Sequence, residues 1–391
     1  MAAGTLVATY KYVDGYSSEG EILVETNRPT AVDGWIERGF KIEPGRPWTF
    51  SVVEGKYTQG QLRRDFQAYL EAERAHPYRI FTHYNSWFHL GIHTYQNEDP
   101  LKRMTEAKCL AAIRDVCDPL LRRGVALDSY LWDDGWDEWN SLWEYHRGFP
   151  HGFAPLVKAA AERGGGIGAW LSPFWVLHAD SIWRGGSDWG AVKGEGHLRE
   201  RWITYRDDVI YRRFAQPCPL FPLNSLMMHG IIVTDIYGMP VSDKDADTRA
   251  FANEVWMGVG CGTGLQEYYI NPEMMSGKWW DILARAIAWV RENAAVLRDV
   301  HWVGGEPGAG EVYGYASWSP DKSIVVLRNP SSSAQVMPVD WRRLLELPEG
   351  AAVPRPRGCR YAASGRGLAA LFNERGEIAL DPYETVVVEL R

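Results

Sequence analysis

Two carboxylates stand side by side in L-D-S-Y-L-W-D-D-G-W (127–136), at the end of an apolar run and between the indoles of Trp132 and Trp136. Adjacent carboxylates repel, so a fold keeps Asp133 and Asp134 together where ligand hydroxyls or a guanidinium offset the repulsion. Carboxylates accept hydrogen bonds from sugar hydroxyls while an indole covers the apolar face of the ring. Gly135 permits a tight exit from the strand. The plainer alternative is a solvated turn, for which D-D-G is a common sequence. A second group lies in S-I-W-R-G-G-S-D (181–188), just after Asp180. There Asp188 follows a Gly-Gly turn, where a general acid would be presented, and Arg184 is placed to hold a substrate oxygen. Glycosidic cleavage with retention needs two such carboxyl groups roughly 5–5.5 Å apart, one nucleophilic and one acid/base.

Other chemistries have little support. No H-E-x-x-H occurs among the ten histidines, and His89 and His93 at i, i+4 lack a third ligand, so no metal is expected. G-V-G-C-G-T-G (258–264) fits neither the dinucleotide nor the P-loop spacing, and no G-x-S-x-G elbow exists. No cofactor is expected. The five cysteines (Cys109, Cys117, Cys218, Cys261, Cys359) are scattered and form no C-x-x-C pair, which reads as buried thiols rather than a disulfide framework or zinc site.

These residues need a scaffold, and 391 residues exceed what one core supports, so two or three domains are expected. A hydrophobic share of 46% and a charged share of 24% are those of a globular protein. The net charge of −8 argues against nucleic acid or an anionic membrane as partner. No 18-residue apolar run is present, and M-A-A-G-T-L-V-A-T-Y-K-Y lacks the basic and apolar regions of a signal peptide, so a cytoplasmic location is the default expectation. Composition gives no reading of the oligomeric state.

The chain's grammar changes twice. Up to about residue 60, short alternating stretches such as E-I-L-V-E-T-N-R-P and P-W-T-F-S-V-V-E-G read as strands and turns, and 58–75 as a polar helix. From about 80 to 300 strand, loop and helix alternate. Strands are predicted at 81–87, 125–132, 167–173 and 265–270. Helices are predicted within 100–122, with apolar groups at Leu110, Ile113, Cys117 and Leu120, and at 153–163 and 279–297. Alternating β and α units imply a parallel sheet, and polar groups at strand ends suggest a (β/α) barrel. From about 306 the sequence returns to strands. E-V-Y-G-Y-A-S-W and S-I-V-V-L-R-N-P flank the turn S-P-D-K as a hairpin, and E-T-V-V-V-E-L is the last strand. The expected division is 1–75 (a remnant N-terminal β region and linker helix), 76–305 (the barrel) and 306–391 (a C-terminal antiparallel β-sandwich).

With these words quoted, the chain resembles the α-galactosidase clan, specifically glycoside hydrolase family 36-like proteins, including bacterial relatives carrying an enterotoxin label. Y-N-S-W (84–87), W-D-D-G-W (132–136) and A-W-L-S-P-F (169–174) match its first three barrel strands. S-I-W-R-G-G-S-D resembles the sixth and P-L-N-S-L-M-M-H-G (222–230) the seventh. The resemblance implies a (β/α)8-type fold and cofactor-free, retaining hydrolysis of α-galactosides or related sugars. It implies that Asp133 and Asp134 bind sugar hydroxyls, with Trp87, Trp136, Trp170, Trp183 and Arg184 around the substrate and Asp188 as the acid/base. The family's fourth strand carries a K-x-D motif whose Asp is the nucleophile, and no such motif stands here. Only Trp175 to Asp180, six residues, separate the third-strand and sixth-strand words, whereas each βα unit needs roughly 25–30 residues. An incomplete barrel with strands four and five deleted is therefore expected, its nucleophile unassigned, with Asp180 or Asp207 as substitutes. The alternative is a carbohydrate-binding protein without turnover. Unpaired strand edges at the gap would predict low stability or aggregation.

Overall fold

The computed structural model describes residues 6–12, 18–24, 44–45, 55–91, 99–138, 141–171, 198–227, 230–234 and 248–391. The chain divides into two units, Met1–Tyr57 and Thr58–Arg391. In the first, β1 (Leu6–Tyr12) and β2 (Ser18–Val24) form an antiparallel hairpin from Leu6↔Val24 to Tyr12↔Ser18.

The second unit opens with α1 (Leu62–Glu73), then alternates β3 (Phe81–Asn85), α2 (Glu106–Leu121), β4 (Ser129–Trp132), α3 (Ala154–Ala161), β5 (Gly166–Ala169), α4 (Leu198–Ile210), β6 (Ile231–Val233), α5 (Thr248–Gly260), β7 (Leu265–Ile270), α6 (Gly277–Glu292) and α7 (Ala294–Leu297). Local chemistry sets these bounds. Thr105 caps α2 by accepting from the Lys108 N–H, and Cys109, Ala112, Ile113, Val116, Cys117 and Leu120 form its buried stripe. The chain leaves that helix through Gly124 at φ +77. Ser276 caps α6 in the same way.

The five strands form one parallel sheet in the order β5-β4-β3-β7-β6. The last strand of the series, β7, thus lies beside the first, β3, with Phe81↔Leu265 through Tyr84↔Tyr268 in register. Tyr84, Tyr130, Trp132, Tyr268, Ile231 and Val233 point to one face and join the helices in the main core. By the two-residue strand period, His83, Asn85, Ser129, Glu267 and Tyr269 point to the other face. The chain enters β6 through Gly230, where any Cβ would stand 1.9 Å from the Glu267 carbonyl oxygen, so only glycine fits.

The outer edge of β6 is sealed by side chains. Glu254 of α5 accepts from the Ile232 N–H at 3.0 Å, and Arg199 of α4 donates to the Ile232 carbonyl at 3.1 Å. Arg199 and Glu254 are themselves paired and buried. An ion pair thus supplies here the donor and acceptor that a neighbouring strand would; the gap expected to open strand edges follows Phe174 and lies outside the described residues.

The rest of the chain is antiparallel. It comprises β8 (His301–Gly304), β9 (Tyr313–Trp318), β10 (Ser323–Arg328), β11 (Gln335–Met337), α8 (Trp341–Leu344), β12 (Pro356–Ala362), β13 (Ile378–Leu380) and β14 (Thr385–Leu390). Five strands form a sheet in the order β12-β14-β10-β9-β8, and β11 pairs with β13. The predicted hairpin is present, closing at Trp318↔Ser323. The sheet begins at His301, ahead of residue 306. Val325, Leu327, Val386 and Val388 face a second core with Leu345, Leu371, Ile378 and Leu380. Tyr313, Tyr315, Val326 and Val387 face the main core, where α5 is buried almost all round. Coarsely, the fold is a parallel α/β sheet followed by separate antiparallel sheets.

One predicted strand is corrected. In the word 222–230, Leu223–Ser225 is a helical turn begun by Pro222, and the strand follows at Ile231. Pro222 lacks an N–H, and the Asn224 amide is spent on the Arg298 carbonyl and Glu71. Cys109, Cys117 and Cys261 are buried, whereas Cys218 and Cys359 are partly exposed. Among the described residues no group of three metal-capable side chains gathers, and no helix is long and apolar enough to cross a membrane.

Candidate active site at the ends of the parallel strands

The candidate site begins where β3 and β4 end. Ser86 organises the exit: its backbone carbonyl accepts the N–H groups of His89, Leu90 and Gly91, and its hydroxyl accepts the Asp133 N–H at 2.8 Å. Gly91 is needed here, since a Cβ would lie 2.9 Å from the Trp87 ring and 3.0 Å from the Asp134 carbonyl oxygen. The turn after β3 is thereby pressed against the carboxylate pair.

Asp133 accepts the Asp134 N–H at 2.8 Å. Burial pushes the Asp133 carboxyl up to about 6, with the neighbouring Asp134 and Glu267 charges acting in the same direction and Asn85 opposing them. One layer down the sheet, Glu267 is 2% exposed. Its Oε1 accepts from Asn85 Nδ2 at 2.8 Å and lies 3.1 Å from His83 Nε2. Burial alone would raise Glu267, but His83, Asn85 and Tyr269 outweigh it and hold the carboxyl below its usual range. The Tyr269 hydroxyl is in turn pushed up, by burial first and then by the Glu267 charge. His83, Asn85, Asp133 and Glu267 thus form one polar cluster on the sheet face away from the helices.

The sequence singled out Asp133 and Asp134 and missed His83, Asn85 and Glu267. The missed residues stand inside the mostly buried strands F-T-H-Y-N and L-Q-E-Y-Y-I. Trp87 is partly buried beside Phe88, Trp202, Ile232 and Tyr269. Trp170 is 42% exposed at the end of β5 and continues the ladder by donating to the Trp132 carbonyl at 2.8 Å. Trp136 donates its indole N–H to the Trp170 carbonyl at 3.2 Å. It is buried against Tyr145 and Phe153, because Gly135 at φ +113 turns the chain back toward α3. Asp207 also lies elsewhere. It is fully buried in α4, accepting from Arg206 Nε at 2.9 Å and from the Tyr313 hydroxyl at 2.7 Å, so it serves the junction with β9 rather than the strand ends. Asp180, Trp183, Arg184 and Asp188 lie outside the described residues.

A small solvent-open cavity of about 110 Å³ occurs near the other end of the strands, lined by Arg63, Gln67, Phe221, His301, Trp302 and Glu346. Its charges are already spent, since Arg63 pairs with Glu346 and Asp299.

No protein-family model matches the chain, and no curated protein sequence matches it significantly. Similar solved structures exist. A family 36 α-galactosidase from Geobacillus stearothermophilus, crystallised with raffinose, superposes with a TM-score of 0.54 at 12% identity, over 100% of this chain and 67% of that one. α-Galactosidase I from Mortierella vinacea gives a TM-score of 0.44 at 12% identity, over 80% and 96%. At such identities likeness speaks for the fold alone, and the fold of this chain is that of an α-galactosidase-like glycoside hydrolase.

Proposed function

We propose that the chain recognises an α-galactoside or a related hexoside at the C-terminal ends of its parallel strands, on the scaffold of a retaining glycoside hydrolase. The observation that carries this reading is the polar cluster of Asp133, Asn85, His83 and Glu267 beside Trp87. In a fold of this kind strand ends hold the chemistry, and a sugar needs fixed acceptors for its hydroxyls and an aromatic face for its ring. The Geobacillus enzyme of similar fold is crystallised with raffinose, a galactoside, which supports the choice of sugar. We read the five strands as an arc of a (β/α) barrel, because β7 beside β3 is the neighbour relation that closes a ring.

In this reading Asp133 and Asp134 accept hydrogen bonds from vicinal hydroxyls, and Trp87 and Trp170 cover the ring. Asp188 is the proton donor, with Trp183 and Arg184 beside it and Asp180 as the alternative carboxylate. Cleavage with retention also requires an attacking carboxylate opposite the donor, and the chain has no Lys-x-Asp word between Phe174 and Asp180. Recognition without turnover is therefore the primary reading and hydrolysis the second, which the paired carboxylates favour.

One assay pair tests both. Calorimetry with raffinose should show binding that weakens at least about tenfold in Asp134→Asn, the loss of a hydrogen bond to a charged group. An aryl α-galactoside should release no aglycone; release abolished by Asp188→Asn would establish the hydrolytic reading instead. No binding and no release across a panel of hexosides would overturn both.

A further inference from the structure

The Asn85 amide is fixed at both ends. Its Nδ2 donates to Glu267 Oε1 at 2.8 Å, and its Oδ1 accepts the Trp87 N–H at 2.8 Å. A flipped amide would set its oxygen against a carboxylate and its NH2 group against an N–H, so the acceptor at Glu267 dictates which way Asn85 points. Glu267 is itself held by His83 Nε2 at 3.1 Å and is almost wholly buried. Its Oε2 makes no well-formed hydrogen bond, although the Tyr269 hydroxyl approaches closely enough to stabilise the charge. A buried carboxylate is costly unless it is compensated, and sheet stability gives no reason to place one between β3 and β7.

We propose that Glu267 is the positioning residue of this site: anchored by His83, it orients Asn85 and thereby fixes Trp87 and the hydrogen-bonding face that Asp133 presents to a sugar. The proposal rests on the sugar-recognition reading and adds to it a residue that touches no sugar. Among the described residues, the charged or titratable groups acting on Asp133 include Asp134 at its own strand exit and Glu267 from β7, Tyr269 from β7 responds to the Asp133 charge, and His83 from β3 is joined to the group through Glu267. The Glu267 charge raises the Asp133 carboxyl and the Asn85 amide lowers it. The two links therefore have opposite signs, which a merely structural role would not produce.

The test uses the full chain with 13C-labelled aspartate. The Asp133 carboxyl resonance is identified by its loss in Asp133→Asn and followed through a pH titration without sugar. Glu267→Gln, which removes the charge but keeps an acceptor for the Asn85 amide, should move the Asp133 midpoint down, and Asn85→Ala should move it up. Raffinose binding, measured by calorimetry, should weaken about tenfold in Asn85→Ala and in Glu267→Ala, which removes the acceptor that orients Asn85. Should Glu267→Gln fail to fold, Asn85→Ala carries the test alone through its upward shift and weakened binding. Midpoints that stay put or move in the same direction would overturn the proposal, as would unchanged raffinose affinity in Asn85→Ala and Glu267→Ala of a wild type that binds. Absence of raffinose binding to the wild type would instead remove the functional reading, while the titration would still report the coupling of Glu267 and Asn85 to Asp133.

Discussion

At the scale of residues, the site combines two carboxyl groups pushed in opposite directions. Asp133 is raised to about 6 by burial, Asp134 and Glu267, whereas Glu267 is lowered by its donors. A raised carboxyl binds more protons in the folded state, so its contribution to stability is present below its unfolded value near 4 and is lost as pH rises through about 6. Glu267 has the opposite sense, stabilising above its unfolded value and losing that contribution as pH falls. Asp133→Asn should therefore gain stability relative to wild type between pH 4 and 7, by on the order of 2 kcal/mol. Thermal melts at a series of pH values check this; parallel pH dependence in the two proteins would contradict it. The sequence showed Asp133 and Asp134 because two adjacent acids after an apolar strand are conspicuous. His83, Asn85 and Glu267 stayed hidden because they lie within mostly buried strands far apart in sequence, and only the register of β3 and β7 brings them together.

At the scale of elements, the most consequential feature is the sealed edge of β6. Arg199 and Glu254 occupy the backbone donor and acceptor of Ile232 that a further strand would take. Removing one partner leaves an unpaired buried charge and an unpaired edge. Glu254→Ala should cost about 3–5 kcal/mol, and Arg199→Met a similar amount, read as a lower urea midpoint with unchanged slope. A loss below about 1 kcal/mol in both would show that the pair does not close the edge. Elements with a periodic apolar face, such as α2 and α6, were legible from sequence within a few residues. α4 was not, since L-R-E-R-W-I-T-Y-R-D-D-V-I is mostly polar. Its Glu200, Thr204, Arg206 and Asp207 are engaged in buried polar contacts, which leave no clean 3.6-residue hydrophobic stripe. β6 escaped notice because three residues carry too little pattern.

At the scale of the whole molecule, the unit Thr58–Arg391 is bound across its two kinds of sheet by one buried network. Arg328 of β10 donates to Glu200 at 2.8 Å and to Thr204 at 2.9 Å, and Tyr313 of β9 donates to Asp207 at 2.7 Å. Asn253 of α5 joins through Glu200 at 2.9 Å and the Tyr361 hydroxyl at 3.0 Å. Parallel and antiparallel parts should therefore unfold together, giving one calorimetric transition for this unit; Arg328→Met should lower its midpoint without splitting it. Two separate transitions would contradict this coupling. The general plan of parallel α/β units followed by antiparallel strands was readable from the change in hydrophobic period near 80 and 306. The sealed edge and the cross-sheet network depend on pairs far apart in sequence and could not be read that way. The central claim is that a hexoside sits over Asp133 and Asn85 against Trp87. A crystal structure with raffinose at saturating concentration tests it most directly: the account predicts sugar density within hydrogen-bonding distance of Asp133 and stacked on Trp87. Density only at the opposite end, in the cavity beside Arg63 and Trp302, or none at all, would contradict it.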